Sequence, residues 1–238
     1  MKQSLVVGLM TLMAASLFAA DADDVKAASK KLAGSNYSWK MTTENAGGGG
    51  GGGGRGRMGP TDGQIDKDGT ILLKMTRGDT TMEAVLKGKK GAIKAEDSWT
   101  SLETAGEGDA QSPARFIARR LQSYKAPADE AQDLAGKVKE LKKSDDTYSG
   151  DLTEAGVKEL LTRFPRRGGA DAPSPTDAKG SAKFWVKDGV LSKYEYNVQG
   201  TMEFNNNEVK INRTTTVEIK DVGTTKVQVP EEAKKKLS

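Results

Sequence analysis

The sequence contains neither cysteine nor histidine. Without cysteine the chain forms no disulfide and offers no thiol nucleophile, and without histidine it cannot build a Ser-His-Asp triad. The nitrogen and sulfur ligands that most zinc sites use are missing for the same reason. A general acid or base working at neutral pH would have to be an Asp, Glu, Lys or Tyr with a shifted pKa. These absences predict a protein that is not an enzyme and that binds no metal or other cofactor.

Aromatic side chains are scarce, with three Trp, five Tyr and five Phe among 238 residues. So few rings leave little surface on which sugars stack, which argues against a glycosidase built on paired carboxylates. Charged residues are plentiful but balanced, with 37 basic against 33 acidic side chains and a net charge of +4. A composition with both signs near balance is compatible with a folded domain rather than a disordered chain.

Basic residues are concentrated in the middle of the chain, where helices are expected. The simplest interpretation is a solvated helix face, and the alternative is contact with anionic lipid head groups or an acidic partner. Nucleic acid is not an expected partner, because aromatic residues are not interleaved with the basic ones. The first three of these residues are expected to point outward, and the whole set is Arg115, Arg119, Arg120, Lys142, Lys143, Arg163, Arg166 and Arg167.

Two motifs suggest ligand sites but fail in their context. Gly47 to Gly54 are eight consecutive glycines that trivially contain G-x-G-x-x-G, yet no apolar strand leads into them and no helix follows. Asp66 to Ile71 resembles half of an EF-hand loop, but Gln64 and Met75 occupy the positions where the first acid and the last Glu are required. The first segment therefore predicts a flexible loop and the second a hairpin turn.

The N-terminus has the organisation of a secretory signal peptide. Lys2 precedes an apolar run from Leu5 to Ala20, and Ala20-Asp21-Ala22 matches a small-x-small cleavage site. The run is short for a membrane span, which needs roughly 20 residues, so an uncleaved anchor is the less favoured alternative. We expect a signal peptide at residues 1–22 and export to the periplasm or secretion. The remaining chain, residues 23–238, is expected to contain no transmembrane span.

Hydrophobic periodicity predicts strands, then helices, then strands. A short helix over residues 23–33 precedes an alternating strand that starts at Tyr37, and turn signals recur about every ten residues from 61 to 103, as in an antiparallel meander. Three helices are expected after Ser112, Pro127 and Thr153. Long alternating strands follow from 182 to 219, and a short helix starts at Pro230. This order is typical of an α+β fold with one large antiparallel sheet and helices on one face.

Two segments are predicted to be mobile loops, at residues 46–60 and 165–179. The first contains the glycine tract, whose residues have no side chains to bury and lose the most backbone entropy on ordering. The second is rich in Pro, Gly, Asp and Arg and has no hydrophobic period. The rest of residues 23–238 is expected to form a single domain.

Two segments carry a resemblance to a known family. Lys183 to Tyr194 form a strand, an Asp-Gly turn and a second strand, and Asp221-Val-Gly leads to the closing Pro230-Glu-Glu-Ala. With the order of elements, these features resemble the LolA-like superfamily of periplasmic lipoprotein and lipid carriers, which includes mycobacterial lipid-binding lipoproteins. The resemblance implies a strongly curved half-barrel sheet, with helices packed on its concave face and an acyl chain or similar ligand held there.

The sequence leaves two hypotheses open. In the first, the chain is an exported carrier whose partners are a lipid or an acylated protein, and possibly donor and receptor proteins of the envelope. In the second, the same fold is a non-catalytic structural or protein-interaction module with a packed interior. An interior cavity of roughly 300 Å³ or more would favour the carrier. Under the carrier hypothesis the predicted cavity-lining residues are Trp39, Met41, Ile71, Leu73, Phe184, Tyr194, Tyr196, Val217 and Ile219.

Overall fold

The computed structural model describes residues 10–46, 58–77, 80–95, 98–108, 112–162, 174–204 and 207–237. The helices are α1 (Met10–Ala33), α2 (Leu102–Glu107), α3 (Pro113–Gln122), α4 (Pro127–Ala135), α5 (Glu154–Thr162) and α6 (Glu231–Lys234). The strands are β1 (Tyr37–Asn45), β2 (Met58–Ile65), β3 (Thr70–Arg77), β4 (Thr80–Lys87), β5 (Lys90–Ala95), β6 (Ser98–Ser101), β7 (Lys142–Ser144), β8 (Thr147–Asp151), β9 (Thr176–Lys187), β10 (Val190–Phe204) and β11 (Asn207–Lys220).

These strands form one antiparallel sheet of 11 strands, in the order β6-β5-β4-β3-β2-β1-β11-β10-β9-β8-β7. The pairing of β1 with β11 joins the N-terminal meander to the long C-terminal strands. The sheet is open rather than closed, as expected for a half-barrel. The predicted α+β class and single large antiparallel sheet are therefore confirmed.

The hairpin between β9 and β10 turns where the sequence predicts it. Asp188 and Gly189 both have positive φ angles, of 54° and 70°. Asp-Gly suits such a two-residue turn, because glycine adopts positive φ without steric cost and aspartate tolerates it better than most residues. The turn places Leu191 opposite Val186, and a register shift between Leu191 and Lys193 then places Tyr194 opposite Phe184.

One face of the sheet is covered by helices, and we call it the covered face. Its side chains form a continuous core with residues of α1 to α5, including Val25, Ala28 and Leu32 of α1. The opposite face, called the outer face, carries a row of alternating charges across seven strands, as expected for a surface in contact with water. In spatial order the row is Lys193, Glu218, Lys40, Asp62, Lys74, Glu83 and Lys94.

The C-terminal helix does not lie with the other helices. Ala233 of α6 packs with Val85, Ala92 and Trp99, whose side chains point away from the covered face. The prediction that all helices gather on one face is therefore wrong for α6. Trp99 explains the difference, because it is a large apolar side chain on the outer face and the C-terminal segment removes it from water.

The boundaries of three segments differ from those predicted. Strand β2 begins at Met58 and β9 at Thr176, so the last residues of both predicted loops belong to strands. Each extension pairs with its neighbouring strand across a shift in register, which lets a sequence without alternation join the ladder. Residues 47–57 and 165–173 of those loops lie outside the described residues. Helix α1 begins at Met10 rather than near residue 23. Within the described ranges, no helix combines the length and apolar character that crossing a bilayer requires.

Candidate functional site

The centre of the covered face brings together all nine residues predicted to line a cavity. Trp39 and Met41 of β1 lie opposite Ile219 and Val217 of β11, and Val217 in turn lies opposite Tyr194 of β10. Met41 is half-buried and packs against the core. The other eight side chains are at most 9% exposed: Trp39, Ile71, Leu73, Phe184, Tyr194, Tyr196, Val217 and Ile219. Their shared face and burial are established here, and their contact with a ligand stays a prediction.

Two aromatic residues of β1 fill the space between the sheet and the helices. The rings of Tyr37 and Trp39 lie 5.6 Å apart at an interplanar angle of 51°. The Trp39 indole lies over Gly63 of β2, its cross-strand neighbour, which has no side chain to hinder it. The Tyr37 hydroxyl accepts a hydrogen bond of 3.3 Å from the backbone N–H of Ala128. Because Ala128 lies in the first turn of α4, Tyr37 satisfies a helix donor that has no partner within the helix.

Beside these apolar residues lies a group of polar side chains that we call the interior polar cluster: Arg120, Tyr124, Glu130, Tyr194, Tyr196 and Arg213. The Tyr194 hydroxyl donates a hydrogen bond of 2.6 Å to Glu130 Oε2. Arg120 interacts electrostatically with Arg213, Glu130 and the two tyrosines 124 and 196, and Arg213 interacts with Tyr196 and Glu130. The cluster therefore contains two guanidinium groups and one carboxyl group inside the covered face.

The helical period explains why Arg120 points inward. Ile117 and Leu121 of α3 are buried, and Arg120 lies three residues after Ile117 and four before Tyr124, on the same stripe. The prediction that Arg115, Arg119 and Arg120 all point outward is wrong for Arg120. Arg119 is exposed, Arg120 is half-buried, and half-buried Arg115 donates a hydrogen bond of 2.9 Å to the carbonyl of Gly108.

Glu130 and Arg213 were not among the predicted site residues, although their positions carry a signal. Glu130 lies three residues after Pro127 and four before Leu134, both of which are buried in α4. Arg213 is in phase with Thr215 and Val217, the inward-facing residues of β11. Each residue is thus a charge at an apolar position of its element, which is the pattern that would have identified it.

Burial determines the electrostatics of the cluster. It lowers the pKa of both arginines, and for Arg120 the nearby charge of Arg213 acts in the same direction. Arginine nevertheless stays protonated at every accessible pH. Burial also raises the pKa of Tyr194 far above its usual value, and the neighbouring Glu130 adds to this effect. At neutral pH the phenols are therefore neutral hydrogen-bonding groups beside two permanent cations.

Arg213 also has a structural contact. Its Nη2 donates a hydrogen bond of 3.2 Å to the carbonyl of Leu160. Leu160 lies in the last turn of α5, whose carbonyl groups have no partner within the helix and carry a partial negative charge. Arg213 therefore holds the end of α5 against β11 and is itself fixed in place by this contact.

We expect the buried phenols to make stability fall in alkaline solution. Burial raises the pKa of Tyr37, Tyr124 and Tyr194, whereas in the unfolded chain tyrosines ionise near pH 10. Above about pH 10 the unfolded state releases protons that the folded state keeps, so the free energy of unfolding decreases as the pH rises. The check combines urea unfolding at pH values from about 9 to 11 with phenolate absorbance. A folded protein whose five tyrosines all ionise near pH 10 would contradict this expectation.

An open groove of about 410 Å³ lies elsewhere, along β8, β9 and β10. Asn197 and Gln199 contribute to it, but Gln199 Nε2 donates to Asn197 Oδ1 at 2.9 Å, and Asn197 Nδ2 donates to Asn212 Oδ1 at 2.9 Å. These amides are thus engaged within the protein. Among the described residues, no group of carboxylates is placed to hold a metal ion.

Comparison with known proteins gives a resemblance of fold. No family model matches the sequence, and no curated protein matches it. Among solved structures, the chain is similar to a LolA superfamily protein from Nitrosomonas europaea, with 8% identity, a TM-score of 0.32 and coverage of 89% of this chain and 94% of that one. It is also similar to a structure described as lipid–protein interactions in lipovitellin, with 8% identity, a TM-score of 0.24 and coverage of 84% and 26%. At these TM-scores neither similarity carries an argument about function, and the LolA-like expectation is met only as a likeness of fold.

Proposed function

We propose that this protein is an exported, non-catalytic carrier that holds an apolar or amphiphilic ligand between the covered face and helices α3 and α4. The ligand is a lipid or the acyl chain of an acylated protein. Delivery from a donor to a receptor in the cell envelope would complete the function. The proposed function involves no making or breaking of covalent bonds.

One observation carries this proposal: long side chains, rather than closely packed helices, occupy the space over the central strands. The helix backbones approach the sheet toward its two ends, with α1 and α5 near β9 and β10, and α2 and α3 near β5. Helix α4 packs chiefly on α1. Over β1 and β11 the space is bridged by Trp39 and the interior polar cluster. A ligand that enters this space displaces side chains, and its entry does not require closely packed helix and strand backbones to separate.

Helices α3 and α4, which carry Arg120 and Glu130, are suited to movement. Helix α3 has 10 residues and α4 has 9, which is too short for stability without tertiary contacts. Segments with few backbone contacts open at lower free energy than the core of a domain. We expect α3 and α4 to move away from the sheet when a ligand enters, while α1 and α5 stay in place.

A second candidate function is favoured by the tightness of the same core. Leu73, Phe184 and Tyr194 have no exposed surface, and they belong to one continuous cluster with the helices. A fully packed interior is the usual arrangement in a domain that binds no ligand. In that case the chain would be a structural or protein-interaction module of the cell envelope.

Native mass spectrometry of protein purified from its own cells separates the two functions. A stoichiometric lipid, released by organic extraction, would support the carrier and identify the class of cargo. A ligand-free mass together with no uptake of fluorescent fatty-acid probes would contradict the carrier and favour the packed module.

The chain has no native cysteine, so spin labels attached to introduced cysteines can test directly whether α4 moves away from the sheet. Spin labels on cysteines that replace exposed Gln132 of α4 and exposed Lys40 of β1 report the distance between helix and sheet. The carrier predicts that this distance increases when lipid binds. A control pair within the sheet, at Lys40 and Lys210, should keep its distance, and an unchanged helix–sheet distance in the lipid-bound protein would contradict the proposed entry.

A further inference from the structure

The excess positive charge of the chain is concentrated in three segments at one corner of the sheet. These are the turn between β2 and β3, the turn between β4 and β5, and the C-terminal segment that includes α6. Residues 66–68, 87–90 and 226–236 contain eight lysines and four acids, an excess equal to the net charge of +4 of the whole chain. We call this corner the basic surface, and its lysines are Lys67, Lys87, Lys89, Lys90, Lys226, Lys234, Lys235 and Lys236.

Contacts within the protein hold the three segments together. The backbone N–H of Val227 donates a hydrogen bond of 3.3 Å to Asp66 Oδ1 in the first turn. The amine of Lys87 lies 2.8 Å from Asp68 Oδ2, which joins the two turns. Ala233 of α6 is buried against side chains of β4, β5 and β6. The lysines of the three segments therefore belong to one surface.

The turn between β4 and β5 places like charges beside each other. Lys87 lies opposite Lys90 in the strand pair, and Lys89 lies in the turn between them; all three are exposed. Like charges directly opposite each other destabilise a sheet. Asp68 pairs with Lys87, so the charges of the other two lysines are not compensated by it. An anion from outside the protein would relieve this repulsion.

Several amines of the basic surface are open to such an anion. Lys89, Lys90, Lys226 and Lys236 are exposed. Within the part of the chain that the structure describes, none of these four is in an ion pair. Their charges therefore face the surroundings.

The chemistry of the basic surface suits a lipid surface better than a protein partner. Protein interfaces have an apolar core from which lysine is depleted. Here the large apolar side chain beneath the C-terminal segment, Trp99, is only 6% exposed and offers no anchor. Anionic lipid head groups require only positive charge held near the membrane, and clusters of about four to eight basic residues are typical of proteins that bind them.

We propose that the basic surface docks the protein on a membrane that contains anionic lipids. The lysine amines contact the lipid head groups, and no apolar residue has to enter the bilayer. This inference goes beyond the proposed function and does not depend on it, because a domain with a packed interior would dock in the same way.

The test is co-sedimentation of protein purified from its own cells with vesicles of phosphatidylcholine, alone or mixed with phosphatidylglycerol. We expect binding to the mixed vesicles that decreases as salt is added, since salt screens exposed charges, and much weaker binding to the neutral vesicles. Equal binding to both kinds would overturn the inference, because charge would then not matter. Binding to neither would also overturn it, and capture on immobilised poly-glutamate in that case would indicate an acidic protein as the partner.

Matched triple variants locate the contact. Changing Lys89, Lys90 and Lys236 together to Gln should weaken binding to the mixed vesicles by about a hundredfold, or about fivefold for each lysine. The control changes three exposed lysines outside the basic surface to Gln: Lys139, Lys179 and Lys210. It should retain most of the binding, although both variants lose the same charge and neither alters a buried residue. Equal losses for the two variants would mean that only net charge matters and would overturn the assignment to the basic surface.

Discussion

Gly63→Ala should destabilise the protein by about 2–3 kcal/mol, because the site has no room for a methyl group. A Cβ atom on Gly63 would overlap the six-membered ring of Trp39. Trp39 cannot easily move away, since it is buried and packs beside the Tyr37 ring. Urea unfolding gives the loss as a decrease in the midpoint with little change in slope.

A matched glycine provides the control for this variant. Gly136 follows α4 with φ −70° and ψ −14°, angles that alanine adopts freely, and its nearest contacts are at ordinary distances. Gly136→Ala should therefore be neutral or stabilise the fold by about 0.4–1 kcal/mol. Similar free energies of unfolding for the two variants would mean that the Trp39 ring moves aside without cost.

The contact between Gly63 and Trp39 shows what the sequence pattern cannot supply. Alternation along β1 places Trp39 on the covered face, and alternation along β3 places Leu73 there, as predicted. The pairing of Trp39 with Gly63 depends on the register between β1 and β2. That register links residues on either side of the glycine tract and is not encoded by either strand alone.

The charged members of the interior polar cluster were not predicted, for a different physical reason. A charged residue on a helix is normally solvated, so charge alone predicts an outward position for both Arg120 and Glu130. Their positions in the helical period would have placed both inside, because each lies between apolar residues at spacings of three and four. The partner of Glu130 was beyond prediction, since Tyr194 is 64 residues away along the chain.

The outer face shows the same difference between what alternation within a strand predicts and what depends on the pairing of strands. Alternation within single strands is enough to give the sheet one apolar and one polar face. The row of alternating charges crosses seven strands, and each step, such as Lys40 beside Glu218, requires the register of a strand pair. Packing of α6 over Trp99 likewise depends on which edge of the sheet the C-terminus reaches.

Glu130→Gln should lower the free energy of unfolding by about 2–4 kcal/mol, a large effect for a substitution that keeps the size of the side chain. The change removes a carboxyl group that interacts with both Arg120 and Arg213. Removing one member of a buried ionic group is strongly destabilising, because the remaining charge loses water without a counter-charge. The half-buried position of Glu130 places the expected loss below that of a fully buried pair.

The same variant distinguishes an ionic role from a hydrogen-bonding one. Tyr194→Phe removes only the hydrogen bond to Glu130 and should cost about 1–2 kcal/mol. Asp68→Asn breaks a contact of 2.8 Å with Lys87 in which both side chains are about half exposed, so its cost should stay within about 1 kcal/mol. Urea unfolding of the three variants should rank Glu130→Gln first and Asp68→Asn last. A loss for Glu130→Gln no larger than that for Asp68→Asn would mean that solvent already screens the two arginines.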